Sequence, residues 1–402
     1  MEKRDNRFLK GVLTGILCSL IVAACATWGL YFLLSARTNE LRQESAQSSL
    51  DYQEIQTKLE GIKDRIDAGY LFDIDESDME EGIYKGFVSA LGDPYTVYYT
   101  EEEYQALLES SSGQYEGIGV QVSQDPDTNL ITVIRVFRGS GAEEAGLQAG
   151  DILYQVNGED ITQDDINNVV AKIKGESGTE VELQVYREST GEYVTMSVER
   201  RSVSMDTVEW RMLENGIGYI QIVEFDSVTY DQFTEALEDL KNQEMQGLVL
   251  DLRDNPGGLL DSVVEIADDL LPEGVIVSTK DKNGEGSTYE SDADMAYDGP
   301  IAVLVNGNSA SASEVLTGAL KDYGRGTVVG TTTYGKGIVQ SIVSLGDGTA
   351  LKVTVSNYYT PNGSNIHEVG IEPDVSVEAG DGEQDIQLEQ AQETVKGLLD
   401  QS

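Results

Sequence analysis

One stretch restricts this chain more than any other. Ile301-Ala302-Val303-Leu304-Val305 is a short apolar run, largely β-branched, and it leads straight into Asn306-Gly307-Asn308-Ser309-Ala310-Ser311-Ala312-Ser313-Glu314. The run predicts a buried strand, and Glu314 to Leu320 reads as a helix. A serine-rich turn between strand and helix can hold a nucleophile exposed on a rigid base. The helix N-terminus adds free N–H groups and a partial positive charge, which favour a developing oxyanion. Ser311-Ala312-Ser313-Glu314 also fits a capping box, and on its own that reading wins because caps far outnumber nucleophilic serines. A second segment shifts the balance. Lys336 stands between Gly335 and Gly337, and Gln340 follows four positions later. That even spacing puts both side chains on one face if they share a strand. A buried lysine can act as the base for a serine, and a glutamine can orient it without adding a charge. The one histidine, His367, lies in a Gly/Asn/Ser-rich loop, which leaves little room for a Ser-His-Asp arrangement.

The run Asn-Gly-x-Ser-Ala-Ser-Ala-Ser-Glu, followed by Tyr-Gly-Lys-Gly-x-Val-Gln, resembles the C-terminal processing peptidases, or tail-specific proteases. The resemblance implies that Ser311 is the nucleophile, Lys336 the base and Gln340 the residue that orients it. It implies a protein substrate and no cofactor.

The formal charge is −45, from 72 acidic and 27 basic residues. Such a chain repels phosphates, so nucleic-acid binding is excluded as a function class, and lying flat on an anionic membrane is disfavoured. Both cysteines, Cys18 and Cys25, fall in the first apolar segment, so the folded part has neither disulfide nor cysteine metal site, and a single histidine argues against a zinc site. No metal site is expected.

Lys3, Arg4, Arg7 and Lys10 precede an uncharged run from Gly11 to Ala36, longer than the roughly 20 residues needed to cross a bilayer. The basic flank places residues 1–10 in the cytoplasm and everything after 36 outside. Val22-Ala23-Ala24-Cys25 resembles a lipoprotein cleavage box, but Trp28 to Leu34 carries the apolar run past it, which suits an uncleaved anchor better. Residues 37–108 read as a helical stalk and N-terminal region, with helices over Thr38 to Ile66 and Ser77 to Leu91 and a turn at Gly92-Asp93-Pro94-Tyr95.

Residues 109–201 resemble a PDZ domain in the circularly permuted order of proteases, on the strength of Ala-Gly-Leu-x-x-Gly-Asp-Ile-Leu-x-x-Val-Asn-Gly from Ala145. PDZ domains add a peptide strand and hold its terminal carboxylate on backbone N–H groups. The matching loop is Gly117-Ile118-Gly119-Val120; a tight turn is the plainer reading of those glycines. Lys174 stands near the place where some family members carry a substrate-sensing basic residue.

From 202 to 376 strands alternate with helices: Ile217 to Val223, Tyr230 to Asn242, Gly247 to Leu252, then Arg253-Asp254-Asn255-Pro256-Gly257-Gly258 and a helix over Leu259 to Leu271. The resemblance implies that a glycine N–H of this turn, Gly257 or Gly258, joins that of Ala312 in an oxyanion hole. The sequence leaves that choice open, and a purely structural turn is the alternative. Residues 377–402 form an acidic amphipathic tail helix that can pack on a neighbour, and the terminal helices permit a homodimer.

The expected fold class is a multidomain α/β (α+β) chain: an N-terminal transmembrane helix, a helical region, a PDZ domain and a crotonase/ClpP-like α/β protease core. The expected function is a bacterial, membrane-anchored serine endopeptidase that captures protein C-termini outside the cytoplasmic membrane. A non-catalytic PDZ adaptor with a dead protease core is the rival. An acyl-CoA enzyme ranks below it, since no basic patch for CoA phosphates is evident.

Overall fold

The computed structural model describes residues 50–126, 128–380 and 384–401. The anchor expected at 11–36 lies outside the described residues, and among the described residues no helix is long and apolar enough to cross a membrane. The chain forms two units that divide between Ser77 and Asp78.

In the first unit the helix Tyr52–Gly69 starts where Asp51 accepts the N–H groups of Gln53 and Glu54. That cap satisfies two of the donors a helix start leaves open. Lys63 pairs with Asp67 one turn on and with Glu76. The helix has no buried residue.

The helix Glu76–Ser89 runs across the division between the units, and the second unit continues with the helix Glu101–Ser112, opened by a Thr100/Glu103 capping box. The domain that follows is an antiparallel sheet of Val120–Gln124, Ile131–Val136, Ile152–Val156, Glu180–Arg187 and Glu192–Glu199, with helices Gly141–Ala145 and Ile166–Ile173. Alternating inward residues such as Val181, Leu183 and Val185 close its core around Ile118, Val133 and Leu153. Gln114–Gly117 pairs with Arg201–Ser204, so the entering and leaving chains of this domain are zipped together.

The core that follows is built on a sheet in the order Val208–Met212, Ile217–Ile222, Gly247–Asp251, Ile301–Val305, Gly326–Gly330, Val375–Ser376, parallel from the second strand on. Gly247–Asp251 and Ile301–Val305 are buried at every position, as strands covered on both faces must be. Alternate residues serve two cores. Leu248, Leu250, Val303 and Val305 face the helices Thr229–Asn242, Leu260–Leu270 and Ala312–Asp322. Val249, Ala302 and Leu304 face Ala391 and Val395 of the helix Ile386–Leu399. The expectation that this tail helix packs on a neighbour is therefore corrected: its apolar stripe is the second layer of this chain's own sheet.

A second, antiparallel sheet holds Val97–Tyr99, Ala350–Tyr359, Gly274–Lys280 and Thr288–Ser291 in that order, with Ile338–Ser344 also paired on Ala350–Tyr359. This sheet brings the turn before Val97 and the segment before Ile338 to one place.

Arg253 ties the turn after Gly247–Asp251 to the tail helix. Its guanidinium donates to both oxygens of Asp251 and to Asp385. Asp251 is fully buried, so removing the arginine strands a charge. Arg253→Ala is expected to lower the unfolding free energy by about 3–5 kcal/mol in a denaturant titration, and Arg253→Lys by less.

Candidate active site

The helix Ala312–Asp322 starts at Ser311, whose backbone has φ 55° and ψ −114°. A non-glycine residue there is strained, and such strain persists only where the surroundings impose it. The surroundings are two loops locked onto each other. Ala310 N–H donates to the Asn255 carbonyl at 3.0 Å. Ser313 Oγ donates to the same carbonyl at 3.0 Å, and Ser309 Oγ to the Leu252 carbonyl at 2.8 Å. Of the three serines in the run, two spend their hydroxyls on main-chain carbonyls. The hydroxyl of Ser311 instead faces the Tyr358 phenol, which burial pushes up to about 12 while Ser311 draws it down.

Glu314 is fully buried and gathers the site. Its Oε2 accepts the Ser311 N–H at 2.9 Å and the Lys336 N–H at 2.8 Å. Its Oε1 accepts the Gly335 N–H at 2.7 Å and the Thr333 hydroxyl. The capping-box reading was right about the bond to Ser311 and silent about the other three. One carboxylate thus holds the backbones of the serine and the lysine a single side chain's reach apart.

The Lys336 side chain is half-buried. Burial pulls its pKa below the ordinary lysine value and Lys352 acts in the same direction, while Asp93 and Glu314 oppose them. Its Nζ lies 4.7 Å from the centroid of the Tyr95 ring. Among the described residues no hydrogen bond joins Nζ to Ser311. Gln340 is not bonded to the lysine either: its amide sits 3.5 Å from the Ile338 carbonyl and from Thr354 Oγ1, the outer limit for a hydrogen bond. The even-spacing argument fails for a specific reason. Lys336 precedes the strand Ile338–Ser344, and the register shifts between Val339 and Gln340. His367 has a buried Nδ1 without a hydrogen-bond partner among the described residues.

The two glycines of the facing turn have distinct surroundings. Gly257 donates its N–H to Asn255 Oδ1 at 2.8 Å, and a Cβ there would meet Ser311 Cβ at 2.8 Å and Ala312 N at 3.0 Å. Gly258 lies on the Phe225 backbone, with Phe225 N–H bonded to the Gly257 carbonyl and Leu259 N–H to the Phe225 carbonyl. In an extended segment successive N–H groups alternate sides, so the Gly258 N–H points away from Phe225. Neither it nor the Ala312 N–H has an acceptor among the described residues.

In the other domain the Ile118 and Gly119 carbonyls are bonded to Ala142 and Phe137 N–H groups. Gly119 has φ 83° and a Cβ there would collide with Ser140 Cβ, so the loop Gly117 to Val120 cannot take a side chain at that position. Lys174 pairs with Glu109 at 3.2 Å on the surface, away from Ser311 in sequence and in its bonding. Tyr95, Tyr358 and the full role of Glu314 had no local signature. Tyr95 sits in a stretch that reads only as a turn.

Glu314→Gln puts an amide where only acceptors fit. It is expected to lose about 1.5–3 kcal/mol of stability for each charged hydrogen bond broken. Thermal melts check the stability, and a crystal structure of the variant should show the Ser311 and Lys336 backbones displaced.

Residues 216–377 match the model of peptidase family S41, residues 132–187 a PDZ domain, and residues 20–103 the activating protease CtpB N-terminal domain. The chain is 35% identical over 341 residues to carboxy-terminal processing protease CtpB of Bacillus subtilis, covering 84% of this chain and 71% of that protein. It is 32% identical to CtpA of the same organism over 366 residues, covering 90% and 77%. A putative S41 protease structure from Bacteroides fragilis shares the fold, with TM-score 0.50, 20% identity, and coverage of 82% of this chain and 93% of that one. With a PDZ domain set before an S41 core, and relatives of this identity spanning most of its length, the chain belongs to the carboxy-terminal processing proteases, which are serine peptidases.

Proposed function

We propose that this protein is a membrane-anchored endopeptidase acting outside the cytoplasmic membrane of a bacterial cell through a Ser311–Lys336 dyad. The observation that carries the dyad is the shared Glu314 oxygen, which fixes both backbones at the head of one helix. Ser311 Oγ attacks the scissile carbonyl and neutral Lys336 takes its proton, then returns it to the leaving amine. Water, deprotonated by the same amine, releases the acyl group. The N–H groups of Ala312 and Gly258 hold the oxyanion. Gly257 has spent its own N–H on Asn255 and serves by letting the turn approach Ser311. Gln340 orients the lysine once it is engaged with the serine.

The PDZ loop from Gly117 to Val120 holds the carboxylate of a substrate protein's C-terminus, with Lys174 as a basic neighbour. The anchor is the uncharged run from Gly11 to Ala36, with a lipoprotein at Cys25 as its alternative, and the N-terminal helices are the face for a homodimer.

Cleavage of an unfolded protein by the full chain tests the dyad. Ser311→Ala and Lys336→Ala are each expected to reduce it to background; equal cleavage by the wild type and both variants would remove the dyad mechanism, and no cleavage by the wild type would leave the non-catalytic adaptor standing. Since only the neutral amine can accept a proton, kcat/KM should rise with pH through the depressed Lys336 value and be lost below it. Peptides ending in a free carboxylate are expected to bind at least about ten-fold more tightly by calorimetry than amidated copies, the worth of one charge-assisted contact.

A further inference from the structure

Tyr95 is not part of any motif that marks the site, yet the Lys336 amine lies over its ring, at 4.7 Å from centroid to Nζ. A tyrosine face attracts a charged amine and gains nothing from a neutral one. The contact therefore favours the ammonium, the form that cannot take a proton from serine. Tyr95 is itself firmly placed. Its N–H donates to Asp93 Oδ1 at 2.9 Å, and Thr96 Oγ1 donates to Asp93 Oδ2 at 2.6 Å. Thr96 Oγ1 in turn accepts the Thr354 N–H at 3.1 Å, which fastens the turn to the strand Ala350–Tyr359. The Tyr95 and Tyr334 hydroxyls meet at 3.4 Å. That hydrogen bond, with burial second, pushes the Tyr95 phenol up to about 12, so the ring stays neutral.

The lysine backbone is equally fixed, by Glu314. Only the flexible side chain is left to move. Ser311 stands within its reach, because both backbones share one carboxylate oxygen.

Resting on the Ser–Lys reading, we propose that Tyr95 is a positioning residue for the base: its ring seats the Lys336 ammonium off the serine, and the base becomes competent on leaving that seat. The other charged groups around the amine are Lys352 on the neighbouring strand, Asp93 in the turn and Glu314 on the helix, with His367 acting on Asp93. Lys352 lies over its own ring, Tyr99, at 5.4 Å. None of these is removed by changing Tyr95.

The test measures Lys336 itself. Competitive acetylation of the full chain across pH, read by mass spectrometry, gives the midpoint at which this amine becomes reactive. Tyr95→Leu is expected to lower the midpoint by about 0.5–1.5 pH units, the range of a cation–π contact. Tyr95→Phe, which keeps the ring and loses only the hydroxyl, should leave it unchanged. Pentafluorophenylalanine at 95, which keeps the shape and weakens the ring's negative face, should lower it relative to phenylalanine even if the leucine variant fails to fold. On the acid limb kcat/KM should rise roughly 3- to 30-fold in Tyr95→Leu with KM little changed. An unmoved midpoint in both the leucine and fluorinated chains overturns the proposal, as does an equal shift in Tyr95→Phe. Full cleavage by Lys336→Ala would instead bring down the Ser–Lys reading, and the acetylation midpoint would still report whether the ring holds the amine.

Discussion

A single buried carboxylate organises the site. Glu314 has no solvent to share its charge, so it must be satisfied by the protein, and four donors from two segments meet it: Ser311, Thr333, Gly335 and Lys336. Hydrogen bonds to an ionised acceptor in a dry interior are short and directional, and leaving one unmade is costly. The requirement to satisfy Glu314 thus supports the strained backbone at Ser311 and the Thr333–Gly337 segment at once. Thr333 passes the constraint onward, since its Oγ1 also accepts the Ile371 N–H at 2.7 Å.

The second constraint is the interlock of two strand–turn–helix units on adjacent parallel strands. The turn after Gly247–Asp251 and the turn after Ile301–Val305 sit side by side because their strands pair in register, Asp251 opposite Leu304. Ser309 and Ser313 then bond across to Leu252 and Asn255. What looks in sequence like three equivalent serines is, once folded, two structural bolts and one hydroxyl left over. Gly257 and Gly258 divide labour in the same way: one allows the turn to press on Ser311, the other lets it press on Phe225.

Much of this was legible before any coordinates. The apolar runs at Gly247 and Ile301 announce buried parallel strands, and the Ser-x-Ser-x-Ser and Gly-Lys-Gly motifs announce where chemistry can sit. The Ala-Gly-Leu pattern from Ala145 announces the small domain. The illegible parts share a cause. Tyr95 meets Lys336 across most of the chain's length, and Tyr358 reaches Ser311 from a strand that carries no motif; neither contact leaves a local pattern. The bulge at Val339/Gln340 defeated a face argument because periodicity holds only in a regular ladder. The packing partner of the tail helix is unreadable for a related reason: an amphipathic stripe says that something must cover it, and only the topology shows that the cover is the chain's own sheet.

An acidic chain is an awkward host for a lysine base. A net charge of −45 stabilises the ammonium wherever the field reaches. Salt screens that field within roughly 8–10 Å at physiological ionic strength, so the surface charge as a whole counts for little at a half-buried amine. The near groups decide, and they pull in opposite directions. Burial and Lys352 favour the neutral base; Asp93, Glu314 and the Tyr95 face favour the charged one. Of these, Glu314 cannot change without dismantling the serine turn, and Lys352 is part of a strand. The ring contact is one that a rotation of the lysine side chain can break. In a site where burial and opposed charges meet at one amine, where the base sits bears on whether it can act.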